Sequence, residues 1–189
     1  MKYKNDIDRC IATLEDGGLI LYPTDTIWGI GCDPLNEEAV NSIYKLKQRS
    51  ESKSMIILVA DENEILNYTE SGLIDIYDYI KGIHKPTTVI YPKAKNLAQN
   101  LINTDGSIAI RVVKDAFCKM LIQQFGRPLV STSANISGYP APGNYKDVDV
   151  LIREGVDYTV VHRQDDDEIA APSTILKMKD DGSFEVIRR

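Results

Sequence analysis

"GLILYPTDTIWGIGCD", residues 18–33, is the stretch on which the reading of this chain turns. Leu19 to Tyr22 form a short apolar run bounded by Gly18 and Pro23, the pattern of a buried strand. Thr24, Asp25 and Thr26 follow at once, and glycines recur at positions 29 and 31. Two accounts of residues 22–33 remain open from spacing alone. One is a polar turn whose hydroxyls satisfy nearby backbone groups. The other is a substrate-binding loop at a strand end, where open α/β sheets place their ligands.

Working outward, Ile7, Cys10, Ile11 and Leu14 recur at helical spacing over residues 6–16, and Gly17-Gly18 ends that helix. Asn36 is placed to cap a helix over about 37–47, with Glu37 and Glu38 in its first turn, where the helix dipole favours negative charge. "MIILVA" (55–60), "TTVIYP" (87–92), "SIAIRVV" (107–113), "RPLVS" (127–131), "YTVVH" (158–162), "STILKM" (173–178) and "FEVIRR" (184–189) read as strands. Acidic helical segments are expected from about 61 to 82, and an amphipathic helix over 115–125 closed by Gly126. Strands and helices interleave irregularly, which favours a mixed sheet with helices against it over a regular doubly wound fold. The expected class is α/β (α+β) in one domain, residues 1–189.

The 189 residues carry a formal net charge of −6, with 43% hydrophobic and 26% charged residues. Such a chain is no generic polyanion binder, so an anionic substrate has to be held by local clusters of Lys and Arg. No apolar run is long enough to span a bilayer and "MKYKNDIDRC" lacks a signal-peptide core, so the expectation is a cytoplasmic protein without membrane contact. Cys10, Cys32 and Cys118 are scattered, and His84 and His162 are the only histidines; neither a disulfide framework nor a protein-held metal site is expected.

Four further stretches could carry chemistry. "KLKQRSESKSM" (45–55) gathers Lys45, Lys47, Arg49 and Lys53 between a helix and a strand. This is either a solvated helix end or a grip for a triphosphate, whose oxygens suit Arg forks and Lys point charges. A GxxxxGK[ST] loop is absent, which excludes a P-loop cradle. In "SIAIRVV", a strand would set Ser107 and Arg111 on one face roughly 13 Å apart, at about 3.3 Å per residue. "STSANISG" (131–138) and "APSTIL" (171–176) place hydroxyls at strand boundaries, as ordinary turns or as neutral ligand contacts. The acidic run "DDDE" (165–168) reads as a solvated loop, since like charges repel. Tyr68, Tyr77 and Tyr79 read as packing or interface surface.

Taken together and in this order, "LYPTDTIWGIGCDP", "KLKQRSESKSMIIL", "SIAIRV", "STSANISG" and "APSTIL…VIRR" resemble the YrdC/YciO-type family, the threonylcarbamoyl-adenylate synthases of tRNA modification. The pair Lys47-x-Arg49 with Ser133-x-Asn135 is the most specific part of the likeness, which runs from about residue 7 to the end. The resemblance implies an open, twisted mixed sheet around a concave, positively charged cavity. It also implies a nucleotidyltransferase that forms threonylcarbamoyl-AMP and pyrophosphate from L-threonine, bicarbonate and ATP, with Mg2+. A partner complex then transfers the threonylcarbamoyl group to adenosine in tRNA. Carried over position by position, Lys47, Arg49 and Lys53 would grip the ATP phosphates, with Lys47 and Arg49 as the catalytic cations. Ser107, Ser133, Asn135 and Arg188 would contact the nucleotide, and Thr24, Thr26, Arg111, Ser131 and Ser173 the threonine. The chain departs from the family pattern at Ser50, Ser54, His84-Lys85-Pro86, Val113, Trp28 and Leu58. An alternative from the same resemblance is a YciO-like protein that binds nucleotide and double-stranded RNA without this activity. A carbamoyl transferase like the hydrogenase-maturation proteins would need added domains and zinc-finger cysteines.

Overall fold

The structure is a computed structural model that describes residues 3–49, 55–70, 85–179 and 181–189. Lys53, Tyr77, Tyr79, Ser50, Ser54 and His84 therefore lie outside the described residues, as does most of the acidic segment expected before residue 82.

Helix α1 (Lys4–Glu15) buries Ile7, Cys10 and Leu14 along one stripe and ends where Gly17 takes φ +79°. Strand β1 (Ile20–Tyr22) follows, then β2 (Gly29–Gly31), then α2 (Glu37–Leu46). The Asn36 side chain accepts from the Glu38 and Ala39 N–H groups, so α2 starts as its sequence signal predicts. After β3 (Ile56–Val59), Asp61 caps a 3-10 segment, Glu62–Asn67, where a longer helix was expected. Strands β4 (Thr87–Tyr91) and β5 (Ile108–Val112) lead into α3 (Ala116–Phe125), bounded by the Asp115 cap and by Gly126 at φ +72°. Strand β6 (Leu129–Ser133), α4 (Val150–Glu154), β7 (Tyr158–Thr159), β8 (Thr174–Met178) and β9 (Phe184–Arg188) complete the order.

The nine strands of the described residues join one sheet in the order β7-β1-β2-β6-β3-β5-β4-β8-β9. The pairs β1–β7, β3–β5 and β4–β8 are parallel and the rest antiparallel, so the sheet is mixed, as the irregular interleaving of elements predicts.

Two further sequence expectations need correction. Residues 29–31 are a strand, not part of a loop: β2 pairs with β1 and β6. Its glycines hid it, because glycine is depleted in strands. The register requires them nonetheless. A Cβ on Gly31 would stand 2.7 Å from the Tyr22 ring and 2.8 Å from the Val130 carbonyl oxygen, and one on Gly29 would stand 3.2 Å from Ser131 Oγ. The expected strand at 158–162 is only two residues long, and α4 carried too short an apolar pattern to be recognised.

Strand alternation divides the sheet into two faces. Leu21, Ile30, Val130, Ile57, Val59, Ile108, Ile110, Val89 and Leu176 pack with Ala39, Val40, Ile43 and Tyr44 of α2 in one core. On the opposite face α1 and α3 cover Ile20, Tyr22, Leu58 and Leu129. That second face also carries Gly29, Ser131 and Arg111, and there the sheet opens onto a cavity.

Candidate functional site

The cavity has a volume of about 230 Å³ and is lined by residues far apart in sequence, including Thr24, Thr26, Trp28, Arg49, Thr88, Arg111, Ser131, Ser133, Ser173 and Arg188. Most arrive from a strand or its end, and Arg49 comes from the turn after α2. Thr24 and Thr26 sit in the β1–β2 connection, Thr88 on β4, Arg111 on β5, Ser131 and Ser133 on β6, Ser173 just before β8 and Arg188 at the end of β9. Trp28 is steadied by Tyr145, whose ring centre lies 5.0 Å away.

The 24–26 connection is internally cross-linked. Thr24 and Thr26 share a hydroxyl hydrogen bond at 2.9 Å, Thr24 Oγ1 donates to the Ile27 carbonyl at 2.9 Å, and the Thr26 N–H donates to Thr24 Oγ1 at 3.0 Å. Thr24 to Thr26 form a hydroxyl-capped turn, and Thr24 and Thr26 also wall the cavity. Arg163 donates from Nη1 to the Thr24 carbonyl at 3.0 Å and pairs with Asp166 at 3.1 Å. This ties the acidic 165–168 loop against the turn.

Three guanidinium groups line the cavity, those of Arg49, Arg111 and Arg188. Arg111 is almost fully buried, with Nη2 at 3.2 Å from Asp25 Oδ1 and at 3.4 Å from Thr24 Oγ1. Its Nε, also buried, has no hydrogen-bond partner. Arg188 donates from Nε and Nη2 to the Ser173 carbonyl at 3.1 and 2.9 Å. Burial and then the positive charge of Arg111 hold the Arg188 pKa below its ordinary value. Burial likewise lowers that of Arg49. Cations crowded in a desolvated wall favour an anion entering between them. Ser173 Oγ and Thr88 Oγ1 share a hydrogen bond at 2.8 Å on the facing side.

Other residues singled out from sequence stand elsewhere. Lys47 does not line the cavity; it is fully buried, and its Nζ donates to the carbonyl oxygens of Ser133 and, at 2.6 Å, of Asn135. Burial, followed by the charge of Arg49, lowers its pKa to about 7. The Asn135 amide turns back to donate to the Ile136 and Tyr139 carbonyls at 3.0 and 2.7 Å, beside a second cavity of about 340 Å³. Lys47 and Asn135 thus brace the strand end that presents Ser133. Ser107 precedes β5 rather than lying in it, donating to Asp105 Oδ1 at 2.5 Å and accepting from Asn103 Nδ2 at 2.9 Å. It does not reach the cavity lining.

Sequence reasoning gave no role to Asp25 or Arg163, and of Thr88 it said only that it fits the family pattern. Asp25 lay in a quoted motif without a role, and Arg163 adjoins an acidic run read only as solvated. Nothing local marks their link to the site, because the contacts that make it, Asp25 with Arg111 and Arg163 with the Thr24 carbonyl, join positions more than 80 residues apart.

Among the described residues, no three His, Cys, Asp or Glu side chains cluster as metal ligands. No helix among them is long and apolar enough to cross a membrane.

Comparison with known proteins agrees with this geometry. The family model for Sua5, YciO and YrdC, described as "Telomere recombination", matches residues 12–189. A threonylcarbamoyl-AMP synthase of Pseudoalteromonas translucida is 37% identical over 141 residues, which is 73% of this chain and 75% of that one. Another, from Xanthomonas euvesicatoria, is 28% identical over 97% of each chain. Among solved structures, Sua5 of P. abyssi complexed with L-threonine aligns with TM-score 0.78 and 24% identity, covering 90% of this chain. The aligned part is only 50% of that longer protein. E. coli YciO aligns with TM-score 0.84 and 20% identity, over 98% of this chain and 89% of that one. These structural likenesses establish the fold, a YrdC-like mixed sheet with flanking helices. By its match over residues 12–189 and its sequence relatives, the chain belongs to the Sua5/YciO/YrdC family.

Proposed function

We propose that this chain is a threonylcarbamoyl-AMP synthase, a nucleotidyltransferase acting as one domain over residues 1–189. The observation that carries the reading is the cavity wall itself: Arg49, Arg111 and Arg188 stand among neutral hydroxyls in a chain whose net charge is −6. Relatives named for this activity support it.

The substrates are L-threonine, bicarbonate and ATP. The threonine amine, once deprotonated, takes up the bicarbonate carbon as a carbamate with loss of water. A carbamate oxygen then attacks the α-phosphorus, and pyrophosphate leaves with the electron pair of the broken P–O bond. Both reactants are anions, so cations between them lower the barrier. Arg111, beside Thr24, Thr26, Ser131 and Ser173, takes the threonine carboxylate, its unpartnered Nε supplying a donor. Arg49, Lys53 and Arg188 take the phosphates, with Ser133 orienting the nucleotide. Lys47 and Asn135 shape the segment that carries Ser133, and Ser107 stands as an outlying nucleotide contact. Mg2+ would travel with the ATP phosphates, as it does where few protein ligands are available. Transfer to tRNA by partner proteins, and a cytoplasmic setting, belong to the same reading.

The test is pyrophosphate release and an AMP-linked product with all three substrates, and with each omitted in turn. Product that forms only in the complete mixture supports the proposal. ATP binding without any amino-acid dependence, together with salt-sensitive binding of structured RNA, refutes it in favour of a YciO-like role.

A further inference from the structure

Asp25 lies between two cavity-lining residues, Thr24 and Thr26, yet does not line the cavity itself. Its side chain turns to Arg111 instead, with Oδ1 3.2 Å from Nη2 as an ion pair outside hydrogen-bond geometry, while Oδ2 accepts the Lys114 N–H at 3.2 Å. Both members of the pair are almost fully buried, at 4% and 8% side-chain exposure. Among the described residues, Asp25 is the carboxylate within 4 Å of this guanidinium.

Resting on the functional reading above, we propose that Asp25 is the positioning residue that sets amino-acid affinity. It fixes the Nη2 edge of Arg111, so that Nε–H stays unengaged for the substrate carboxylate. A guanidinium is a planar fork, so engaging one edge orients the others. Without that charge only the long Nη2 hydrogen bond to Thr24 Oγ1, at 3.4 Å, holds this edge, and the fork is free to turn toward the Ser131 side of the wall. The carboxylate also offsets positive charge where Arg111 and Arg188 face one cavity, which keeps Arg188 on the Ser173 carbonyl. Asparagine has nearly the same shape but neither the charge nor two acceptor oxygens.

Pyrophosphate release is measured with threonine varied at saturating ATP and bicarbonate, then with ATP varied at saturating threonine. Asp25→Asn raises the KM for threonine by about tenfold or more and leaves that for ATP within about twofold, the pattern of a lost buried ion pair acting on one substrate. Asp25→Glu, which keeps the charge and moves the oxygens, falls between wild type and Asp25→Asn. In an Arg111→Lys background, Asp25→Asn adds little, because the two act as one unit. An unchanged threonine KM, equal rises for both substrates, or full additivity with Arg111→Lys overturns the inference. Should Asp25→Asn not fold, Asp25→Glu decides by the same split between the two KM values. Should the wild type release no pyrophosphate with threonine, the functional reading fails. The Asp25 role is then judged by calorimetric titration with threonine: weaker binding in the variant sustains it, and equal binding or none in the wild type overturns it.

Discussion

Lys47 offers a test in which a single buried charge controls how stability varies with pH. Its Nζ is enclosed with the Ser133 and Asn135 carbonyls, and burial lowers its pKa from 10.5 to about 7. The native state therefore releases this proton first. Between pH 7 and 10.5 the unfolded chain binds more protons than the folded one, so stability rises with pH across that window. The stabilisation is complete above the unfolded value and is lost as pH falls through about 7. Integrated from pH 7 to 9.5, the gain from this one group is roughly 3 kcal/mol. Lys47→Met fills similar volume and removes the titration. Urea unfolding of both proteins under reducing conditions, at several pH values over that range, isolates the effect. Cysteines and tyrosines that also titrate are common to both and cancel in the difference. The difference in unfolding free energy should shift in favour of wild type by roughly 3 kcal/mol as pH rises. Parallel curves, with a constant difference, would refute a depressed Lys47 pKa.

Arg49→Ala removes a cavity-lining guanidinium, and kcat/KM for ATP should fall about tenfold to a hundredfold, in keeping with loss of a charged hydrogen bond. Little change, measured by pyrophosphate release, would remove Arg49 from the phosphate grip. Gly31→Ala forces a methyl group against the Tyr22 ring and the Val130 carbonyl, and should cost about 1–3 kcal/mol in denaturant unfolding. Asp115→Ala removes the acceptor of the Cys118 N–H at the start of α3 and should cost about 1 kcal/mol in the same assay.

Much of the secondary structure was legible because its signals are local. Asn36 and Asp115 cap their helices through N–H groups two or three residues away, and Gly126 ends α3 with a left-handed backbone. The run Ile56–Val59 needs only its own apolar side chains to read as a buried strand. β2 was illegible for a converse reason. Gly29 and Gly31 weaken the strand signal locally, and the need for them lies in Tyr22, Val130 and Ser131 on neighbouring strands. Ser107 shows the limit of periodicity: its place two residues before Ala109 suggested a shared strand face with Arg111, but hydrogen bonds to Asn103 and Asp105 hold it in the preceding turn.

By itself the sequence determined the class of fold and the ordered set of motifs that mark the family, and through that resemblance it named eight of the side chains that meet at the cavity. The fold class follows from hydrophobic period and capping chemistry, carried within short windows, while the site residues follow from the resemblance that the ordered motifs carry. Tertiary structure alone decided which basic groups face the cavity. Arg49 lines it while Lys47, two positions earlier, is buried against the Ser133 and Asn135 carbonyls. It alone joined Asp25 to Arg111, across 86 positions. The physical reason is that a charge is placed by its solvation and its partners, and those come from strands remote in the chain.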